Sequence, residues 1–189
     1  MKTYPNIGKV VLASASPRRR ELLASLGMDF DVRIPAIEET VKSGESPRTF
    51  SERLAAEKAA AVPVDPGTTV IAADTIVVQD GHILGKPTDE AHAAEMLSRL
   101  SGATHEVITG VCVVKDTVSL VFSVSTEVVF RTLTRAEIAD YVCSGCPMDK
   151  AGAYAIQGGA AHMVRAINGS YTNVVGLPLC ELHEVLISV

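Results

Sequence analysis

Val10-Val11-Leu12-Ala13-Ser14-Ala15-Ser16-Pro17-Arg18-Arg19-Arg20-Glu21-Leu22-Leu23 joins an apolar run to a helical pattern through two serines, a proline and three arginines. Val10-Val11-Leu12 reads as a short buried strand. Ser16 suits the N-cap of the helix that follows, and Pro17 its first position, where a missing N–H costs nothing. The helix start then gathers free backbone N–H groups, serine hydroxyls and guanidiniums in one place, which is the chemistry of an anion site, above all for phosphate. Arginines at a helix N-terminus oppose the helix dipole by about 0.3–1 kcal/mol each, and a bound polyphosphate removes that conflict. Arg-Arg-Arg alone would read as a solvated charged turn. The strand and the Ser-x-Ser-Pro lead-in make it a binding element.

Outward from this stretch, strand and helix signals alternate, the mark of an α/β class. Met28–Ile34 reads as a strand and residues 35–46 as a polar loop carrying Glu38-Glu39. Ser46-Pro47 opens a helix with Phe50, Leu54 and Ala61 on one face and Lys58 toward the exposed side. Thr69–Ala73 is a buried-type strand with Asp74 at its C-terminal end. Ile76–Gln79 continues extended, Asp80-Gly81 is a hairpin turn and His82-Ile83-Leu84 returns. Thr88 is placed to cap a helix containing Leu97 and Leu100. Glu106–Val114 and Val118–Phe130 read as a long hairpin. Thr134-x-x-Glu137 is a capping box. Met148–Gly159 is glycine-rich. His162–Ile167 and Ser170–Val175 read as a second hairpin around Asn168-Gly169, and Leu179–Ile187 as a closing helix.

Composition narrows the function. The 189 residues suffice for one ample core, and no linker divides residues 1–189. A net charge of −5, 4% aromatics and no Trp argue against nucleic-acid binding, which needs basic surfaces or stacking platforms. No apolar run is long enough to span a membrane, and Met1–Gly8 lacks the apolar core of a signal peptide, so a cytoplasmic location is expected. Cys143-Ser-Gly-Cys146 is a single C-x-x-C without a second pair or nearby His, and reads as incidental free thiols.

Three further groups could carry chemistry. Asp74 at the exit of a buried strand is placed for a metal or a water. Lys86, just after the short hairpin, could return beside it. The segment Asp149-Lys150 to Gln157-Gly158 could wrap a ligand but lacks the P-loop pattern. Arg18, Arg19, Lys58 and Lys86 supply cations, and Glu39, Asp74 and Asp89 supply carboxylates. Without a nucleophile–His pair, this set fits metal-assisted phosphoanhydride hydrolysis better than acyl transfer.

Ser14-x-Ser16-Pro17-Arg18-Arg19-x-Glu21-Leu22-Leu23, Ala73-Asp74-Thr75, Gly85-Lys86-Pro87, Leu100-Ser101-Gly102-x-x-His105-x-Val107-x-Thr109, Asp149-Lys150-Ala151-Gly152-Ala153-Tyr154, Ile156-Gln157-Gly158, Ile167-Asn168-Gly169-Ser170-Tyr171 and Val175-Gly176-Leu177-Pro178 together resemble the Maf-like family, in that family's order. The resemblance implies one domain over residues 1–189 with an inosine-triphosphatase-like fold: a curved mixed β-sheet with flanking helices and two lobes around a central cleft. It implies a nucleoside triphosphate pyrophosphatase that releases the monophosphate and pyrophosphate, uses a divalent cation (Mg²⁺, Mn²⁺ or Co²⁺) and forms a homodimer. Carried over by motif, Asp74 would activate water, Glu39 and Asp74 would hold the metal, and Ser14, Arg19, Lys58 and Lys86 would bind the triphosphate. Arg18, Thr75 and Gln157 match the branch acting on dTTP and UTP, and modified pyrimidine nucleotides are a further substrate class there. The 7-methyl-GTP branch carries Trp, Gln and Glu at those places. A 7-methyl-GTP pyrophosphatase and a nucleotide-binding regulator of cell division with little catalysis are the alternative readings. Cys146 stands where the family usually has an acid, which puts the role of that acid here in question.

Overall fold

Val10 and Leu12 pack on one side of their strand and Val11 and Ala13 on the other, which is why the run is continuously apolar rather than alternating. The computed structural model describes residue 4 and residues 7–188. Within it the strands are β1 (Lys9–Ala13), β2 (Asp31–Arg33), β3 (Thr68–Gln79), β4 (His82–Leu84), β5 (Thr104–Lys115), β6 (Val118–Phe130) and β7 (Val164–Asn168). The helices are α1 (Pro17–Ser25), α2 (Pro47–Ala60), α3 (Glu90–Leu100), α4 (Arg135–Cys143), α5 (Tyr171–Val175) and α6 (Leu179–Ser188). Single 3-10 turns lie at Ala151–Ala153 and Ala161–Met163.

The strands form a mixed sheet in the order β2-β1-β3-β5-β6-β7, with β4 also on β3. β1 runs parallel to both β2 and β3, pairing Leu12 with Val32 and with Ile71. β4 is antiparallel to β3, and β7 to β6. The Asp80-Gly81 turn has positive φ at both residues (50° and 77°), the conformation for which an Asp-Gly hairpin is selected.

The chain divides into two compact units. The first holds the residues up to Asp74, Thr109–Val124 and those from Gly176 on; the second holds Thr75–Ile108 and Ser125–Val175. In the first, Leu23 of α1 and Leu182 and Leu186 of α6 pack with Leu12, Ile71 and Val111. Ala55 and Ala59 of α2 cover the other set, Val11, Val70 and Cys112. The small residues of α2 permit a close approach: a Cβ on Gly110 would lie 2.3 Å from the Ser51 carbonyl oxygen. The second unit has its own core, in which Leu97, Leu100, Phe130, Ile138, Tyr154 and Met163 share one cluster.

Four local expectations need correction. Ser170–Val175 is not the return strand of a hairpin. Its C-terminal part is α5, because Ser170 Oγ accepts the Asn173 N–H at 3.2 Å and starts a helical turn. Asn173 is then drawn inward, where its side-chain amide donates to the Val107 carbonyl and to Thr126 Oγ1, both at 3.0 Å. The α3 cap is Asp89 rather than Thr88, its carboxylate accepting the His92 N–H at 2.8 Å. Asp74 lies inside β3 and not at a strand end, since β3 continues to Gln79. Lys58 is not on an exposed face: it is buried.

Candidate active site

Ser16 caps α1 as its sequence requires, its hydroxyl accepting the Arg19 N–H at 3.4 Å with Pro17 at the first helical position. Ser14, buried at the end of the β1 segment, faces the same turn. Its Oγ accepts from the Ser16 N–H at 3.1 Å and from Arg19 Nη1 at 3.4 Å. Arg19 Nε donates to the Gly176 carbonyl at 2.7 Å, so its guanidinium folds back along the strand end. Burial pulls the Arg19 pKa below the usual guanidinium value. The Asp74 carboxylate opposes that shift, the neighbouring Arg18 charge adds to it, and Glu39 opposes it. Arg18 is half-buried on the first turn of α1.

The carboxylates come from different elements. Asp74 is 6% exposed on β3, and Glu39 sits on the exposed loop between β2 and α2. Both meet Lys58, which α2 presents from its last turn. Lys58 Nζ lies 2.5 Å from Asp74 Oδ1 and 2.6 Å from Glu39 Oε1. The Glu39 loop is held by Arg53, whose Nε and Nη2 clasp the Glu45 carboxylate at 2.6 and 2.7 Å. Arg53 Nη2 also donates to the Thr40 carbonyl at 2.9 Å, and Nη1 reaches Glu57 at 3.0 Å. The Arg53–Glu57 pair is an i,i+4 spacing that the sequence displays. The clasp on Glu45 and Thr40, from one helix back onto a preceding loop, is not readable from any local pattern.

The structure therefore gathers Ser14, Arg19, Glu39, Lys58 and Asp74 into one part of the first unit, with Arg18 on the turn beside Arg19. Three cations stand there against two carboxylates, an arrangement suited to a polyanion and able to place a water beside a carboxylate. Thr75, Lys86 and Gln157 belong to the second unit. Thr75 follows Asp74 on β3 and points to the opposite face of the strand. Lys86 is exposed after β4, and Gln157 is exposed in the glycine-rich segment. Asp89 is not part of the gathering: its carboxylate serves as the cap of α3. The Gly176 carbonyl that anchors Arg19 was missed in the sequence, because a backbone acceptor leaves no residue-type signal. All four cysteines are free, with Cys143 and Cys146 exposed. Lys150 Nζ donates to the backbone carbonyl of Cys146 at 2.6 Å.

A family model described as Maf-like protein matches residues 9–189. The chain belongs to the Maf-like family. A Geobacter sulfurreducens protein named dTTP/UTP pyrophosphatase is 58% identical to this Maf-like chain over 183 residues, covering 95% of each. A Salmonella typhimurium protein of the same name is 54% identical over 179 residues, covering 93% of this chain and 90% of that one. Among solved structures, the Staphylococcus aureus Ham1 protein superposes with a TM-score of 0.55 at 16% identity, covering 95% of this chain and 98% of that one. A Coxiella burnetii HAM1 protein gives 0.50 at 17% identity, covering 96% and 100%. These likenesses concern the fold, which is the inosine-triphosphatase-like, mixed-sheet architecture expected of a Maf-like sequence.

Proposed function

We propose that this Maf-like protein hydrolyses dTTP and UTP to the monophosphate and pyrophosphate, within one functional domain spanning residues 1–189. The observation that carries the reading is the meeting of Asp74, Lys58 and Glu39 beside the Ser14/Arg19 turn. It occurs in a chain 58% identical to a protein named for that activity. The Asp74 carboxylate takes the proton as water attacks the α-phosphorus. The bond between that phosphorus and the bridging oxygen breaks, and pyrophosphate leaves carrying the electron pair. Ser14, Arg19 and Lys58, with the α1 N-terminus, hold the phosphate oxygens, and Arg18 and Thr75 act with Gln157 in substrate selection. Lys86 is the further phosphate-binding cation.

The donor set fits a magnesium-type ion. Two carboxylates offer hard oxygen donors that already converge on one cation, and Mg²⁺ typically uses one or two carboxylates with substrate phosphates and waters. No group of three or more His, Cys, Asp or Glu side chains able to hold a metal occurs among the described residues, so a cage built from protein side chains alone is not the model. Glu39 and Asp74 are the residues to hold Mg²⁺, Mn²⁺ or Co²⁺. When bound, such an ion polarises the phosphate and neutralises its developing charge.

The base is assigned to Gln157. Its amide offers a donor and an acceptor, matching the O4/N3 edge that uracil and thymine share. A carboxylate there would favour a donor-rich purine edge or a cationic methylguanine. A homodimer in the cytoplasm, acting without nucleic acid or membrane, is the biological setting this reading implies. No helix among the described residues is long and apolar enough to cross a membrane.

Pyrophosphate release from dTTP, UTP, CTP, GTP and 7-methyl-GTP, with Mg²⁺ or Mn²⁺ and beside Asp74→Asn, tests the reading. Turnover of dTTP and UTP reduced about 10²–10⁴-fold in the variant is expected for loss of a general base. Near-normal turnover in a folded Asp74→Asn removes Asp74 as the base. Turnover of none of these nucleotides favours the binding-regulator reading.

A further inference from the structure

Lys58 stands between Asp74 and Glu39, the two carboxylates proposed above to hold a divalent ion. Its ammonium bridges the two carboxylates at 2.5 and 2.6 Å, and its side chain is only 10% exposed. We propose that Lys58 is an internal counter-cation, which bridges the carboxylate pair and must be displaced before a divalent ion binds. The inference rests on the pyrophosphatase reading for the choice of Glu39 and Asp74 as metal ligands.

The physical case has three parts. Asp74 is nearly buried, so its charge needs a compensating cation whether or not a metal is present. An ammonium and a magnesium-type ion compete for the same oxygens, because the ion needs them at about 2.0–2.1 Å. Two cations confined to that space repel one another. Finally, Lys58 can leave. It is a point charge on a flexible four-carbon stem. Arg19, by contrast, is fastened through Nε to the Gly176 carbonyl and through Nη1 to Ser14.

A displaced ammonium needs a new anion, and the phosphates of the nucleotide are that anion. The Lys58 bridge thus disfavours a bare divalent ion and favours an ion that arrives with a triphosphate. In population terms, the metal-competent form of the site is a minor fraction, and the apparent metal affinity is reduced by that fraction.

The test is Mn²⁺ binding to the full, nucleotide-free chain, followed by the paramagnetic signal of free Mn²⁺. Lys58→Met is expected to bind Mn²⁺ at least about tenfold more tightly than the native chain, since the competitor is gone. Lys58→Gln keeps an N–H donor between the carboxylates and carries the same expectation if the methionine variant does not fold. Lys58→Arg retains the charge and should bind as weakly as the native chain. Adding Asp74→Asn to the tighter variant should abolish the gain. Equal or weaker binding in the neutral variants, tighter binding in Lys58→Arg, or a gain that survives Asp74→Asn overturns the proposal. A merely structural lysine would not raise metal affinity when removed. Tightened binding in the neutral variants, with no pyrophosphate release by the native chain, sinks the enzymatic reading alone; normal release by the native chain with unchanged Mn²⁺ affinity in the variants sinks this one alone.

Discussion

Arg53 holds Glu45 in a two-pronged clasp, Nε to Oε1 at 2.6 Å and Nη2 to Oε2 at 2.7 Å, and so fastens the Glu39 loop onto α2. Charge-assisted pairs of this fork geometry fix direction as well as energy. The guanidinium draws the Glu45 carboxyl down to about 2, so the clasp persists well into the acid range. Arg53→Ala is expected to free the loop while leaving α2 helical. Limited trypsin digestion should then cut after Lys42 several-fold faster, with the helical circular dichroism retained. Cleavage at the native rate would mean that other contacts hold the loop.

Gly110 is required by the approach of α2 to β5. A methyl there would stand 2.3 Å from the Ser51 carbonyl oxygen and 2.6 Å from the Glu52 nitrogen, with backbone atoms that cannot swing aside. Gly110→Ala should destabilise the fold by about 3 kcal/mol, read as a lower urea midpoint. Gly85→Ala is the control, because nothing lies within 4 Å of its added carbon and its φ is not positive. A Gly110→Ala midpoint equal to that of the control would show that the two elements can separate at little cost.

His105 should make stability depend on pH. It is buried between Phe130 and Tyr154, with Nε2 2.7 Å from the Tyr154 hydroxyl, and burial lowers its pKa from 6.5 to about 4. Between those values the unfolded chain binds the proton and the folded chain does not. The stability is therefore fully present above pH 6.5 and is lost as pH falls through about 4, by about 3 kcal/mol in all. Urea midpoints at pH 7, 5.5 and 4.5 should fall in that order, and His105→Gln should flatten the slope. A slope unchanged in the variant would assign it to other groups.

Gln157 is exposed and unencumbered by the core, so its replacement probes recognition rather than folding. Gln157→Glu removes the donor and should lower kcat/KM for dTTP and UTP about tenfold or more. Unchanged values with both nucleotides would take Gln157 out of base reading.

Cys146 holds Lys150 through its backbone carbonyl, an acceptor that any residue supplies. Cys146→Ala should therefore keep the native melting midpoint. Cys146→Glu, compared with the native chain under matched Mg²⁺ and Mn²⁺, reports whether an acid at this position alters metal dependence. A lowered midpoint for Cys146→Ala would show that the thiol itself packs against something needed.

Much of the architecture was legible because its causes are local. Ser16-Pro17, Ser46-Pro47 and Thr134-x-x-Glu137 begin helices since each cap acts within four residues. Asp80-Gly81 makes its turn from its own dihedral preferences. The candidate site residues could be named as residue types at motif positions. Ser170–Val175 is helical where a strand is expected, because β-branched composition is a weak signal beside one serine cap and a buried asparagine.

The sequence alone thus determined the alternation of strands and helices, most of the caps and turns, and a supply of cations and carboxylates at motif positions. Only the tertiary structure decided that Lys58 is buried and bridges Asp74, 16 residues away, to Glu39. Only it decided that Arg19 is tied to the carbonyl of Gly176 and that Arg53 clasps the Glu39 loop. Caps and turns depend on neighbours along the chain. A salt bridge depends on where whole elements pack, and packing is set by the summed burial of faces that no short window contains.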